Sequence, residues 1–175
     1  MISNHNKESD YFKTLIAAIS DFPKKGIVYR DIQPLLANAK AFKKAILAMG
    51  EQCAILPDYW VGIDARGFLF AGALAMEFGG GVRMVRKKGK LPNAHKAEAP
   101  YTLEYGTDCL EMALFSEPLS QGSCVLVDDV FATGKTLEAT EKLCLRQGLE
   151  VLDKIVLVDI GLVQNSSVKA LVKFD

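Results

Sequence analysis

Apolar and polar positions follow two different periods along the chain, and together they predict a succession of strands and helices. Short apolar runs bounded by turn residues predict strands over 59–63, 82–85, 109–114, 123–127 and 151–160. Apolar residues three or four positions apart predict helices over 10–19, after Asn38, over 68–78 and over 136–147. A repeated order of strand then helix is typical of an α/β fold with a mostly parallel, twisted sheet and helices on both faces.

The segments between these elements lack a regular pattern. Residues 1–9 are polar and are expected to fray, residues 22–36 are expected to be irregular, and residues 162–175 give no clear pattern. Residues 86–107 are basic and contain glycine and proline, so we expect a long mobile loop, which is uncommon in a compact domain unless it is functional. Because no linker or repeat interrupts the chain, we expect a single domain over residues 1–175.

Composition narrows the class of protein. The 175 residues are 50% hydrophobic and 24% charged, as in an ordinary globular enzyme, and the net charge is zero. A neutral chain has no general attraction for nucleic acid or for an anionic membrane. No apolar run reaches about 18 residues, and the first thirty residues lack the apolar core of a signal peptide, so we expect a cytoplasmic protein. The four cysteines form no C-x-x-C pair and only two histidines occur, so we expect free thiols and no metal site.

The most informative segment is residues 125–136, where an apolar strand ends in two adjacent carboxylates. Asp128 and Asp129 are followed at once by small and hydroxyl residues, and then by a helical pattern. Backbone N–H groups at such a turn, together with the helix dipole, favour a phosphate, and the two carboxylates can accept hydrogen bonds from sugar hydroxyls. The alternative is an ordinary strand that ends in a turn. A P-loop is excluded because it needs glycine five residues before Gly134, where this chain has Asp129.

A second polar turn follows another predicted strand. Residues 64–67 stand between the strand over 59–63 and a helix. Ligands of an open α/β sheet bind beyond the carboxyl ends of its strands, so both turns are expected on the same edge. Arg66 and nearby backbone N–H groups suit a diphosphate, although a surface arginine is an equal alternative for the turn alone.

A local excess of positive charge follows the next predicted strand. Five cations fall within eight residues of a chain that is neutral overall, namely Arg83, Arg86, Lys87, Lys88 and Lys90. Such a run is usually a solvated face. Against a net charge of zero, we favour an anion-binding segment.

Five segments of the chain, in order, resemble the adenine phosphoribosyltransferases. The segment over 125–136 resembles the diphosphoribosyl-binding signature of type I phosphoribosyltransferases more widely. The other four segments, which resemble the adenine enzymes in particular, are residues 21–36, 62–68, 85–92 and 103–107. Five matches in the order of the family are far more specific than any one of them.

The resemblance implies a reaction, partners and a place in the cell. Adenine and 5-phosphoribosyl 1-diphosphate would give AMP and diphosphate in purine salvage, through a cationic, oxocarbenium-like transition state. The resemblance also implies Mg²⁺ carried with the diphosphate substrate. It further implies a cytoplasmic homodimer, in which the basic segment reaches the neighbouring subunit. Residues 1–36 would form a small N-terminal hood that includes the base-binding segment.

The resemblance assigns roles residue by residue. The catalytic residues would be Glu104 as the acid or base near the purine, Tyr105 and Arg66. Adenine would be bound by Val28, Tyr29, Arg30 and Val130. The ribose phosphate would be bound by Asp128, Asp129, Ala132, Thr133, Gly134, Lys135 and Thr136. The diphosphate would be bound by Asp64, Ala65, Arg66, Arg86, Lys87 and Lys90.

Two positions depart from the family pattern. Tyr29 stands where the family usually has Phe, so its ring can still stack on a base, but its hydroxyl needs a partner. Lys135 stands where many members carry a second glycine, so the phosphate loop is not an exact copy.

Two other functions remain open at this point, and a third is not favoured. The chain could be a phosphoribosyltransferase for guanine, hypoxanthine or xanthine. It could be a regulator that senses nucleotides on the same fold without catalysis, although a regulator should add a DNA-binding segment or a basic face. A diphosphokinase-like synthase would need an ATP site and a longer chain, and the sequence shows neither.

Overall fold

The computed structural model describes residues 2–92, 95–103, 106–116, 119–164 and 166–174. The helices are α1 Ile2–Lys13, α2 Gln33–Ala37, α3 Ala39–Gly50, α4 Gly67–Phe78 and α5 Lys135–Arg146. The strands of the first half are β1 Ala17–Ser20, β2 Val28–Asp31, β3 Tyr59–Ile63 and β4 Gly81–Lys87. The strands of the second half are β5 Lys96–Leu103, β6 Gly106–Ala113, β7 Gly122–Phe131, β8 Leu149–Asp159 and β9 Lys169–Lys173.

Within these described residues, the centre of the fold is a seven-stranded sheet in the order β5-β6-β4-β3-β7-β8-β9. Five of these strands, β4, β3, β7, β8 and β9, pair with one another in parallel. The hairpin of β5 and β6 adds two antiparallel strands at one edge. The mostly parallel α/β sheet that the sequence predicts is therefore confirmed.

Helices pack on both faces of the sheet, and the central strands are therefore buried on both sides. Along β7, Val127 packs in one core cluster with Phe70 of α4 and Met49 of α3. Its neighbour Leu126 points the other way and packs with Leu143 of α5. Because successive residues of β7 enter two different apolar cores, its sequence is a continuous apolar run rather than an alternating one.

The ends of two helices agree with the sequence. The side-chain oxygen of Asn38 accepts a hydrogen bond from the backbone N–H of Ala41 at 3.1 Å and caps α3. Helix α5 ends before Gly148, whose φ of +73° is the left-handed conformation that glycine adopts readily.

The N-terminal segment differs from the prediction. The first helix ends at Lys13 rather than continuing to residue 19, and it includes residues that we expected to fray. Strand β1 follows and pairs antiparallel with β2, so the segment over 22–36 is not wholly irregular either. The apolar spacing fits a helix as far as Ile16. Beyond it, the backbone N–H and C=O groups form hydrogen bonds with β2 instead of within a helix. These two strands lie within residues 1–36, the segment predicted to be the hood.

Residues 86–107 do not form the long loop that the sequence predicts. Strand β4 runs through Lys87, and β5 begins at Lys96 and pairs with β6 along its whole length. Alternate residues of β5, such as Ala97 and Ala99, pack toward the sheet core and support a strand despite the prolines. Whether this segment moves stays a prediction. In the unassigned tail, β9 adds a further parallel strand beside β8.

The remaining expectations concern cysteines and membranes. Cys109, Cys124 and Cys144 are buried and free, whereas Cys53 is free and half-buried just beyond α3. Among the residues described, no helix is long and apolar enough to cross a bilayer.

Candidate active site

The two adjacent carboxylates lie within the carboxyl end of β7, because the strand continues to Phe131 instead of stopping before them. Asp129 is buried and Asp128 is half-buried. An oxygen of Asp128 accepts a hydrogen bond from the backbone N–H of Asp129 at 2.9 Å. Burial raises the pKa of Asp128 well above its ordinary value, and the nearby charge of Asp129 adds to this shift. Burial also raises the pKa of Asp129, although Arg66 acts in the opposite direction.

Arg66 connects this acidic pair to the hood. It immediately precedes α4, and its Nε lies 2.8 Å from Oδ2 of Asp129. One of its terminal N–H groups donates a hydrogen bond to the hydroxyl of Tyr29 at 2.8 Å. The hydroxyl that distinguishes Tyr29 from the usual Phe therefore has a charged partner. The structure brings Arg66 to the acidic pair, while its role at a diphosphate stays a prediction.

A close contact between backbones sets the position of Arg66. The first residue of α4 is Gly67, and a Cβ atom there would lie 2.7 Å from the carbonyl oxygen of Val127 and 3.2 Å from Oδ1 of Asp128. Only glycine lets the start of α4 approach the end of β7 this closely. The turn over 64–67 and the acidic pair are thereby held side by side.

The turn after β7 forms the wall of a cavity of about 380 Å³. Gly134 has a φ of +80°, and α5 begins at the next residue. Seven of the predicted site residues line the cavity: Asp128, Val130, Ala132, Thr133, Gly134, Lys135 and Thr136. The volume falls within the range of small-molecule sites, and the helix N-terminus supplies the donor groups that an anion needs.

Sequence reasoning missed five residues that line the same cavity, namely Ile27, Phe131, Leu137, Ile160 and Leu162. A signal existed for two of them. Ile160 and Leu162 follow the carboxyl end of β8, which is the neighbour of β7 in the sheet, and the strand-end rule predicts ligand contacts there. The apolar side chains make much of the cavity wall hydrophobic.

Three of the four predicted base-binding residues lie on β2, and the fourth, Val130, lies on β7. Val28 is exposed, and Tyr29 is half-buried with its ring edge-on to Phe22, the centroids 5.2 Å apart. The guanidinium of Arg30 stacks 3.8 Å above the ring of Phe174, which follows β9. This cation–π contact holds the Arg30 side chain against Phe174 and was not expected from the sequence.

Three residues of the predicted diphosphate set contact one another. Asp64 accepts a hydrogen bond from Nε of Arg86 at 3.0 Å and another from the backbone N–H of Lys87 at 3.4 Å. The carbonyl of Ala65 accepts from Phe68 N–H at 3.3 Å, and Lys90 is exposed. The structure therefore brings the turn over 64–67 to the end of β4.

One member of the basic run does not belong with the others. Arg83 is 4% exposed, and its guanidinium donates to the side chain of Gln147 at 3.0 Å and to the carbonyl of Leu119 at 3.3 Å. It points to the opposite side of β4 from Arg86, because the two are three positions apart on a strand. The expected cluster of five anion-binding cations is thus wrong for Arg83. Glu104 and Tyr105 lie outside the described residues.

Comparison with known proteins defines the class first. Residues 30–168 match the family described as phosphoribosyl transferase domain, and the chain therefore belongs to this family of glycosyltransferase enzymes. Two solved structures named as adenine phosphoribosyltransferases share the fold. The one from Thermoanaerobacter pseudethanolicus has a TM-score of 0.84 and 38% identity, covering 95% of this chain and 99% of that one. The one from Rhodothermus marinus has a TM-score of 0.82 and 35% identity, covering 96% and 99%.

Sequence relatives then narrow the class. The adenine phosphoribosyltransferase of Nostoc punctiforme is 46% identical over 145 residues, which cover 80% of this chain and 82% of that protein. The one from Hydrogenovibrio crunogenus is 40% identical over 168 residues, covering 91% and 94%. The resemblance to the adenine phosphoribosyltransferases is therefore confirmed.

Proposed function

We propose that this chain transfers the 5-phosphoribosyl group of 5-phosphoribosyl 1-diphosphate to adenine, giving AMP and diphosphate in purine salvage. One observation carries the proposal: Asp128 of β7 and the glycine turn before α5 line a single cavity, while the buried Asp129 lies directly behind them beside Arg66. Relatives that are 40% identical or more and carry the adenine enzyme's name support the choice of base.

The ribose phosphate is bound by the end of β7 and the turn that follows. The 5′-phosphate accepts hydrogen bonds from backbone N–H groups of residues 132–136, where the dipole of α5 also favours negative charge. Asp128 and Asp129 accept hydrogen bonds from the ribose hydroxyls. Mg²⁺ enters as part of the substrate, held mostly by diphosphate oxygens and water.

Adenine is bound between the hood and β7. The ring of Tyr29 and the side chain of Val130 stack on opposite faces of the base, while backbone groups of Val28 and Arg30 contact its edge. The hydrophobic cavity wall from Ile27 and Ile160 excludes water beside the base.

The diphosphate is bound by the turn over 64–67 and the basic end of β4. The bond between the sugar C1 and the diphosphate oxygen breaks, and a bond from C1 to adenine N9 forms. Arg66, Arg86, Lys87 and Lys90 offset the charge of the departing diphosphate, assisted by backbone groups at Asp64 and Ala65. Glu104 acts as the acid or base that exchanges a proton with the purine, and Tyr105 is the next residue in the sequence.

A homodimer in the cytoplasm completes the proposal. Four apolar side chains of α4 and β4 are exposed: Leu69, Met76, Val82 and Met84. Val82 and Met84 lie opposite Trp60 and Gly62 of β3, which places them on the side of the sheet that α4 covers. An exposed apolar patch of this kind favours an interface, and β4 leads from it directly to the basic segment. Free buried thiols fit a reducing compartment.

Turnover with a set of purine bases tests the function. Purified protein, Mg²⁺ and 5-phosphoribosyl 1-diphosphate are incubated with adenine, guanine, hypoxanthine or xanthine, and the nucleotide products are separated by chromatography. We expect AMP to form with a kcat/KM far above that of the other three products. Preferential formation of another nucleotide would reassign the base, and no product from any base would support a non-catalytic regulator.

A further inference from the structure

Two elements far apart in sequence hold the Arg66 guanidinium at once. Tyr29 on β2 of the hood accepts a hydrogen bond from one terminal nitrogen at 2.8 Å, and Asp129 on β7 lies 2.8 Å from Nε. The guanidinium carbon also lies 5.3 Å from the centroid of the Tyr29 ring. The arginine is therefore fixed from two directions, and among the residues that the structure describes, the tyrosine hydroxyl supplies the hydrogen bond to its terminal nitrogen on the side of β2.

We propose that the Tyr29 hydroxyl is a positioning group, which holds Arg66 on Asp129 and thereby strengthens the binding of 5-phosphoribosyl 1-diphosphate. This inference rests on the proposed function and adds to the stacking role of the Tyr29 ring. It concerns a feature of this chain, because a phenylalanine at this position has no such hydroxyl.

The physical reason lies in the flexibility of arginine and the burial of the carboxylate. An arginine with one polar contact retains many rotamers, and ordering it costs conformational entropy. A second, directional contact from a rigid tyrosine removes most of that cost before substrate arrives. With the guanidinium held in place, the buried carboxylate of Asp129 keeps its counter-charge and remains an acceptor for a sugar hydroxyl.

The alternative is that the hydroxyl only helps the hood to pack. The packing contact of Tyr29 is through its ring, edge-on to Phe22. A Tyr29→Phe substitution keeps that ring and deletes the hydroxyl alone. The two explanations therefore predict losses in different places: diphosphate substrate for the positioning role, adenine and stability for the packing role.

Binding measurements on four proteins separate these explanations. Calorimetry with Mg²⁺ and 5-phosphoribosyl 1-diphosphate, without adenine, is applied to wild type, Tyr29→Phe, Arg66→Gln and the double variant. We expect Tyr29→Phe to raise the Kd roughly fivefold, less than a buried charged hydrogen bond would give, because the Arg66 side chain is 35% exposed. On the Arg66→Gln background the same change should alter the Kd by less than about twofold, since coupled residues are not additive.

Controls and a second readout keep the test decisive. Tyr59→Phe removes a hydroxyl at the amino end of β3 and should leave the Kd unchanged. In the wild-type protein, NMR should show slow rotation of the Arg66 guanidinium, and a freely rotating group would overturn the proposal even if Tyr29→Phe does not fold. An unchanged Kd in Tyr29→Phe, an equal loss on both backgrounds, or a loss confined to the adenine KM would also overturn it. Wild type that binds both substrates but forms no AMP would instead refute the proposed function.

Discussion

The close approach of α4 to β7 makes a sharp prediction about Gly67. Alanine there would place its Cβ 2.7 Å from the carbonyl oxygen of Val127, a backbone atom that cannot rotate away. Forcing this contact apart costs about 1–3 kcal/mol of unfolding free energy, against a gain of about 1 kcal/mol because alanine favours a helix over glycine. The displacement would also move Arg66 and Asp128, because both adjoin the contact.

Gly72 of the same helix is a matched control. It is an interior helical position where a Cβ would meet no atom within 4 Å, so Gly72→Ala should stabilise the protein by about 0.5–1 kcal/mol. Thermal unfolding is measured for both variants, and for a chain of this length about 2–4 °C in Tm corresponds to 1 kcal/mol. We expect Gly67→Ala to melt below Gly72→Ala and to lose kcat/KM for 5-phosphoribosyl 1-diphosphate, while Gly72→Ala keeps wild-type kinetics.

One outcome for these two variants would contradict the role given to Gly67. If Gly67→Ala melts as high as Gly72→Ala and its kinetic constants match those of wild type, then the start of α4 does not need its contact with Val127. In that case the contact would not explain how the turn over 64–67 and the acidic pair are held together.

The remaining predictions concern single side chains. Asp129→Asn should fold normally and lower kcat/KM by about one to two decades, the value of a charged hydrogen bond; steady-state kinetics with full activity would contradict this. Glu104→Gln should lower kcat by roughly 10²–10⁴ with a smaller change in the adenine KM, as expected for an acid or base; an unchanged kcat with chemistry rate-limiting would exclude that role. Lys135→Gly should weaken AMP binding at low salt and less at high salt, because an exposed charge is screened; equal affinities at low salt would show that only the backbone matters. Hydrogen bonding from Lys96 lowers the pKa of Glu111 below its ordinary value of 4.5. The ionised Glu111 therefore stabilises the fold above pH 4.5, and this stabilisation is lost as the pH falls through the lowered pKa. The unfolding free energies of wild type and Glu111→Gln should converge below about pH 4.5, and a difference between them that stays constant with pH would refute the pairing with Lys96.

Much of the sheet could be predicted from sequence because its strands are buried on both faces. A short apolar run bounded by turn residues, such as 123–127, is typical of an interior strand, and the helices beside it carry clear 3.6-residue spacing. The edge of the sheet was harder. The strand β5 contains Pro100 and charged residues, since an edge strand needs only one buried face, and its pattern resembles that of a loop.

The candidate site shows the same division between local and long-range information. The turn over 132–136 is contiguous in sequence, so its glycine, its hydroxyls and the helix after it could be recognised together. The contacts of Arg66 with Tyr29 and Asp129 join residues 37 and 63 positions apart, and no pattern in the sequence specifies them. The burial of Arg83 was missed for the same reason, because its partners Leu119 and Gln147 belong to distant segments.

The most direct test of the account is a crystal structure of the protein with AMP bound. The proposed function predicts the 5′-phosphate within hydrogen-bonding distance of backbone N–H groups of residues 132–136, with ribose hydroxyls facing Asp128 and Asp129. It also predicts the adenine ring between Tyr29 and Val130. A nucleotide bound outside this cavity, or with its phosphate away from the N-terminus of α5, would contradict the assignment of the site.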